Sequence, residues 1–356
     1  MSLPTPARSH LVGWLAVTWL LFACFTFYVS FVQYALLGRA VQQLGLSEAD
    51  LAPGFALLAL FGIAGTLLAG RVIDRRRLNA MTVLRWTAAL SGALAVCAVV
   101  AMQATGRIAL IALFAPMGLV LGLLIVCLLH LFSTMLPGRV RGLFAGLCAG
   151  LVYFAANVLA LYSDKPDTIG LFDLMLVISN IAVVFLFHDA LQQTPSEDYG
   201  VEQPLRGWLV GLLPLAAVVL IDTALFVHVS RAPGAVPVLA DAGDWLRNGI
   251  AHLLVALIAG VLYARLGWRK LTFVAAAALT ATLAAFVVHR FGLADLSDLI
   301  MLLYSVTVGV YTVALFTVFG EAAPRQRPAM GIAWGMVVVG WVCSPAGIAL
   351  GTALLP

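Results

Sequence analysis

Apolar runs of about 20 residues recur from one end of the chain to the other, each bounded by charges, proline or glycine and each long enough to cross a hydrocarbon core of roughly 30 Å. They fall near 11–37, 54–72, 79–102, 108–135, 141–162 and 168–188, and again near 207–229, 246–264, 271–289, 297–319 and 330–354. A helix that is apolar all round has lipid or protein on every side, not water. The pattern predicts an all-α integral membrane protein of about eleven spans, six before and five after the polar stretch from Gln192 to Arg206. That division gives an N-terminal six-helix half over 1–190, a linker over 191–206 and a C-terminal half of about five helices over 207–356. The last 27 residues, Met330 to Pro356, are too few for two crossings at about 1.5 Å per residue, so the second half is read as lacking its sixth helix.

Composition agrees with this. Hydrophobic residues make up 63% of the 356 and charged residues only 10%, against roughly 25% charged in an ordinary soluble domain. The formal net charge of +4 sits in short clusters between apolar spans rather than on one soluble face, which argues against a nucleic-acid partner. Leaving out Arg85, which lies inside the third span, the loops on the side of the N-terminus carry thirteen Arg and Lys and the opposite loops carry six. By the positive-inside rule the N-terminus is expected in the cytoplasm, and the expected location is a bacterial inner membrane. The first apolar run is too long for the core of a signal peptide and is read as a retained span. All five cysteines fall inside apolar runs, so neither a disulfide framework nor a zinc knuckle is indicated.

The sequence also repeats. Gly70 and Gly260 each follow the second span of their half and stand 190 residues apart; Gly142 and Gly146 open the fifth span, and Gly331 and Gly335 open the eleventh, at an offset of 189. Two independent landmarks with one period indicate two related halves with a path between them. The first loop reads Gly70-Arg71-Val72-Ile73-Asp74-Arg75-Arg76-Arg77, and the second runs from Gly260 through Ala264, Arg265 and Gly267 to Lys270. Both loops resemble the GxxxDRxGRR motif of the major facilitator superfamily, found between helices 2 and 3 and weakly repeated between helices 8 and 9. The departures are Arg77 at the later glycine position of the first copy and Ala264 at the aspartate position of the second. The resemblance implies a two-half helical transporter in which Gly70, Asp74, Arg75, Gly260, Arg265 and Gly267 form a conformational latch, with Asp74 capping or pairing near the end of the eleventh helix. The opposing reading of Asp74 and its arginines is a solvated, orienting loop. The fourth span has no buried Arg, so the proton-linked motif of many drug exporters of the superfamily is missing, and a multidrug exporter is disfavoured.

Ionisable side chains inside a span are costly and mark a pathway or find a partner. Arg85 and Asp173 lie about six residues from span ends and are set aside as near-interface groups. Asp222 in the seventh span and His252 in the eighth lie at similar depth, with Asn248 one turn from His252, and form a candidate proton-coupling site. Thr26, Ser30, Gln33 and Tyr34 give the first span a polar stripe, and Tyr304, Thr307 and Tyr311 do so in the tenth; Asn157 lies on the fifth. By the resemblance, helices 1, 4, 7 and 10 line the substrate cavity, and hydroxyls, amides and aromatic walls suit a small organic ligand. The opposing reading is interhelical hydrogen bonding. Cys127 and His130 with Met135 are the one metal-like grouping, too sparse for a metal site, and no cofactor is implied.

No nucleotide-binding loop, soluble domain or Ser-His-Asp set appears, which excludes primary pumping and gives no sign of an enzyme. The expected function is secondary active transport of a small organic solute by alternating access, proton-coupled, by a monomer among membrane lipids. Its rival is a non-transporting assembly factor or sensor; metal-ion transport ranks lower.

Overall fold

The computed structural model describes residues 8–231 and 242–354. Ten helical stretches are long and apolar enough to cross a membrane, and the longest, Ala242–Arg290, has 49 residues and breaks at Gly267, where φ is 67° and ψ is 168°. Ser305 on the following helix reaches Asn248 before the break, while Ile300 packs with Ala285 after it, so the two pieces lie antiparallel and both end at one face. The described residues therefore hold eleven crossings: α1 (Arg8–Gln42), α2 (Glu48–Arg76), α3 (Ala80–Gln103), α4 (Arg107–Met135), α5 (Gly138–Ala160), α6 (Pro166–Leu186), α7 (Leu205–Arg231), α8 (242–266), α9 (268–290), α10 (Ser297–Ala322) and α11 (Pro328–Ala353). This is a multi-pass membrane protein. No strand is present among the described residues; one isolated parallel bridge joins Val201 to Pro324.

Two helices depart from the apolar runs in informative ways. α1 does not stop near Leu37 but continues to Gln42 through a π segment, Phe31–Leu36. α2 starts not near Gly54 but at Glu48, because Ser47 and Asp50 form a capping box: the Ser47 side chain accepts from the Asp50 amide at 3.2 Å and Asp50 accepts from the Ser47 amide at 2.9 Å. Hydropathy alone stops at the acidic residues; capping chemistry carries the helix beyond them.

Small residues set the packing. A Cβ on Gly122 of α4 would lie 2.2 Å from the Gly62 carbonyl on α2, and one on Gly146 of α5 would lie 2.4 Å from the Ala256 carbonyl on α8. With no hydrophobic drive between helices inside lipid, such backbone-to-backbone approach supplies the dispersion energy that holds a bundle together.

The polar stretch between α6 and α7 is not loose. The Glu197 amide donates to the Thr134 carbonyl at 2.8 Å, the Val201 amide to the Ala323 carbonyl at 2.9 Å, and the Arg325 amide to the Val201 carbonyl at 2.9 Å. Tyr199, buried, shares a 2.8 Å hydrogen bond with Nδ1 of His130 on α4. Burial also pushes the Tyr199 phenol well above its ordinary value, so it stays a neutral hydroxyl. The segment thus ties the ends of α4 and α10 together on the face that carries Arg75, Arg139 and Arg325, here called the basic face.

Both motif glycine positions have a positive φ, left-handed helical at Arg77 and extended at Gly267. Arg77 closes α2 at φ 47°, and Gly267 turns the chain at φ 67°. A left-handed conformation costs an L residue about 1–2 kcal/mol, while glycine adopts it freely. Replacing Arg77→Gly is expected to raise the thermal midpoint in detergent, by up to about 1 kcal/mol once the added freedom of the unfolded chain is counted. Gly267→Ala is expected to lower it by about 1–3 kcal/mol. Equal midpoints for both variants would refute the assignment of strain.

Candidate functional site

Midway along α5, α7, α8 and α10 lies a polar cluster. Tyr311 of α10 donates its hydroxyl proton to Oδ2 of Asp222 on α7 at 3.0 Å. Tyr153 of α5 shares a 3.2 Å hydrogen bond with Thr312, and its ring stacks on the His252 imidazole of α8 with centroids 5.1 Å apart. Tyr304 stands edge-on to His252 at 6.3 Å and stacks on Phe226 at 6.5 Å. Asp222 and His252 are buried, yet Oδ1 of the first and Nδ1 of the second have no protein partner. Two polar atoms left open in a buried, aromatic-walled place are an invitation to a proton, a water or a ligand.

The sequence-predicted residues divide around this cluster. Asp222, His252, Tyr304 and Tyr311 come together, and Tyr34 of α1 lies within electrostatic reach of Tyr304. The expected Asp222 with His252 pair does not form: Tyr311 occupies the carboxylate and Tyr153 the imidazole face. Asn248 is not poised beside His252 for proton transfer; it donates to Oδ1 of Asn157 at 2.8 Å and accepts from Ser305 at 3.0 Å, which clamps α8 to α5 and α10. Thr307 turns its hydroxyl back onto the Leu303 carbonyl at 2.9 Å, as hydroxyls in apolar helices do, and so presents none to a cavity.

The stripe on α1 breaks for a geometric reason. Thr26 and Ser30 belong to the α-helical part, whereas Tyr34, adjacent to the Gln33 position of the stripe, lies in the π segment, whose wider turn rotates it relative to the line through Thr26 and Ser30. Ser30 is hydrogen-bonded with Asp173 of α6 instead of facing α10, and Thr26 is buried with its hydroxyl unpartnered. The side chain of Gln33 lies outside the described residues.

At the basic face, Asp74 at the end of α2 accepts from the amides of Ala329 at 3.1 Å and Met330 at 2.7 Å, donors at the start of α11 that have no partner within the helix. A carboxylate there satisfies orphan amides and complements the positive end of the helix dipole. Gly70, one turn earlier, lets α11 approach: a Cβ on it would lie 2.7 Å from that of Ala333. The second copy is built differently. Gly260 packs on Gly146, with a virtual Cβ 3.0 Å from its Cα, and Gly267 makes the turn, but Ala264 offers no cap. Arg75 and Arg265 are exposed.

Sequence reasoning passed over four groups. Arg141, counted as a loop charge, is 4% exposed and donates to the carbonyls of Ser133 at 2.8 Å and Leu136 at 3.0 Å, closing the C-terminus of α4. Asp173, set aside as a near-interface group, is fully buried against its neighbours. Tyr153 joins the centre, and His130, weighed with Cys127 as a metal-like pair, is held by Tyr199. A signal existed for Tyr153 and Asn157, which share a face of α5 at a spacing of four; none existed for Asp173.

With this geometry in place, comparison with solved structures becomes informative. The human organic anion transporter MFSD10 (TETRAN) superposes with a TM-score of 0.57 at 16% identity, over 99% of this chain and 96% of that one. The proton:xylose symporter XylE of the major facilitator superfamily, bound to 6-bromo-6-deoxy-D-glucose, gives 0.62 at 14%, over 97% and 89%, and a double Trp mutant of XylE gives 0.60 at 16%, over 94% and 86%. The chain has the major facilitator fold. No family model and no curated protein sequence matches it. Identities this low show the fold alone, so within the major facilitator fold the function is argued from the site.

Asp74→Ala strands the Ala329 and Met330 amides and is expected to lower stability by about 1–2 kcal/mol. Asp74→Asn, which keeps one acceptor, is expected to cost less. Thermal unfolding in detergent checks the order; equal midpoints for wild type and Asp74→Ala would show the cap to be idle.

Proposed function

We propose that this chain is a secondary active transporter that moves a small organic solute by alternating access, with proton movement through Asp222 as the drive. The observation that carries the reading is the buried Asp222 carboxylate, bonded through Oδ2 to Tyr311 and open at Oδ1, at the meeting point of α5, α7, α8 and α10. A buried carboxylate with one open oxygen is costly unless a proton or a ligand donor occupies it, so charge and occupancy of the site are linked. His252, stacked between Tyr153 and Tyr304, offers a second titratable group within the same wall.

The solute class follows from the lining. Tyr153, Tyr304, Tyr311, Asp222 and His252 provide hydroxyls, rings, one carboxylate and one imidazole, with no Arg or Lys in that group, which suits a neutral or cationic solute better than an anion. The structural neighbours carry different cargo by their own descriptions, one an organic anion and one xylose with protons, so neither supplies the substrate. We take the two halves as 1–190 and 207–356, joined by 191–206, rocking about the central cluster. The Asp74 cap and the Tyr199 segment then hold the basic face closed. On the charge balance of its loops that face is cytoplasmic, in a bacterial inner membrane, with the protein acting as a monomer.

Reconstituted vesicles loaded with a broad solute panel test this. Wild type is expected to show uptake that responds to an imposed pH gradient; Asp222→Asn is expected to lose gradient-driven uptake by about tenfold or more, while solute counterflow survives. Unaltered pH dependence in Asp222→Asn would end the proton role. Failure to move any solute of the panel would favour a non-transporting assembly factor or sensor.

A further inference from the structure

Away from the central cluster, three oxygens stand in a row between α1 and α6. Ser30 Oγ lies 2.6 Å from the Thr26 carbonyl and 2.5 Å from Oδ1 of Asp173. Both contacts are short hydrogen-bond distances, too short for one hydroxyl proton shared in a bifurcated bond, so each holds its own proton between its two oxygens. A serine hydroxyl has one proton to give, and a carbonyl has none. If Asp173 were ionised, one of the two contacts would set lone pair against lone pair. Full satisfaction requires a second proton, and among the three groups only the Asp173 carboxyl can carry it.

The surroundings point the same way. Asp173, Ser30 and Thr26 are each 0% exposed, and Asp173 Oδ2 and Thr26 Oγ1 have no partner at all. A metal ion in place of the proton would hold these oxygens apart around itself rather than at hydrogen-bond distance from one another. Nor is a protein charge at hand to neutralise an ionised form. The titratable or charged groups on the elements packed against this stretch of α6 are Cys24 and Tyr28 on the α-helical part of α1, Tyr34 on its π segment, Arg39 near its end, and Arg85 and Cys97 on α3. None of them is within hydrogen-bond or ion-pair distance of Asp173, whose bond is to Ser30; Arg39 is spent on Asp167 at 3.3 Å and Gln43 at 2.7 Å.

Ser30 is the last α-helical residue before the π segment Phe31–Leu36, the place where the regular ladder of α1 is interrupted. On its other sides α1 meets α10 through Phe25 and Phe316, with ring centroids 4.8 Å apart, and α11 through Tyr28 and Trp341 at 6.1 Å. We propose that Asp173 is a proton-binding site at the α1–α6 contact, holding a proton while Ser30 is seated against it. The proposal rests on the oxygen geometry and not on the transport reading, and the site is separate from Asp222.

Infrared difference spectroscopy of the full chain in lipid at neutral pH reads the carboxyl C=O stretch directly. Asp173→Asn is expected to remove one protonated-carboxyl band, and Asp222→Asn to leave that band in place. Ser30→Ala is expected to keep the band and shift it to higher frequency, because the carboxyl loses its hydrogen-bond partner; this arm stands even if Asp173→Asn does not fold. Asn mimics the protonated acid, so the thermal midpoint of Asp173→Asn is expected to hold steady under alkaline conditions where wild type falls. A wild-type carboxyl spectrum unchanged by Asp173→Asn, or unmoved by Ser30→Ala, overturns the proposal, whatever the vesicle experiments show for Asp222.

Discussion

A backbone amide in hydrocarbon has nothing to bond to except the protein, and everything else in this structure depends on that constraint. It forces each crossing to be a helix whose own ladder is complete. It also removes the hydrophobic effect as a reason for helices to associate, so contact must come from close packing and from polar groups that need partners. The glycines of α2, α4, α5 and α8 answer the first need, and the hydrogen-bonded pairs between α5, α8 and α10 answer the second. At three places where the ladder ends a compensating group stands close by: Asp74 on the open amides of α11, Arg141 on the open carbonyls of α4, and the 194–204 segment on the ends of α4 and α10.

The same constraint sorts polar side chains into two populations. Most hydroxyls, such as Thr307 on Leu303 and Thr317 on Val313, return to their own helix and become electrically quiet. Ten buried side-chain atoms among the described residues stay open, those of Asp222, His252, Asp173 and Thr26 among them, in a medium that penalises each. Of these four residues, three lie on α1, α6 and α7 and the fourth on α8, so open polar atoms occur on both sides of the linker, one group among aromatic rings and the other at a break in α1.

What the sequence made legible follows from which forces act locally. Span number and order could be read because run length answers to bilayer thickness, a single dimension common to every helix. The turn at Gly267 and the contact at Gly70 could be read because a motif glycine answers to backbone geometry. The stripe Thr26, Ser30, Tyr34 could not, since one π segment rotates the later residue and nothing in the residue types announces it. Asp173 was misplaced for a related reason. Depth along α6 put it near an interface, but Ser30 of α1 packs against it and leaves it 0% exposed. Its burial is decided by a neighbouring helix, which position along α6 cannot report.

The near-repeat also carries an asymmetry with mechanical meaning. Gly70 and Gly260 make equivalent close contacts, the first with α11 and the second with α5. Only the first is followed by a carboxylate that binds the partner helix; at the equivalent place stands Ala264, and Arg141 at the start of α5 turns inward to α4 instead. Separating α2 from α11 therefore breaks two charge-assisted hydrogen bonds and strands two amides, whereas separating α8 from α5 at this face breaks only packing. Two contacts that are alike in shape but unlike in chemistry need not open together. The α5–α8 side, held at this face by packing alone, carries the Tyr153–His252 stack and the Asn157–Asn248 bond farther along the same pair of helices, so the basic face and the central cluster share those two helices.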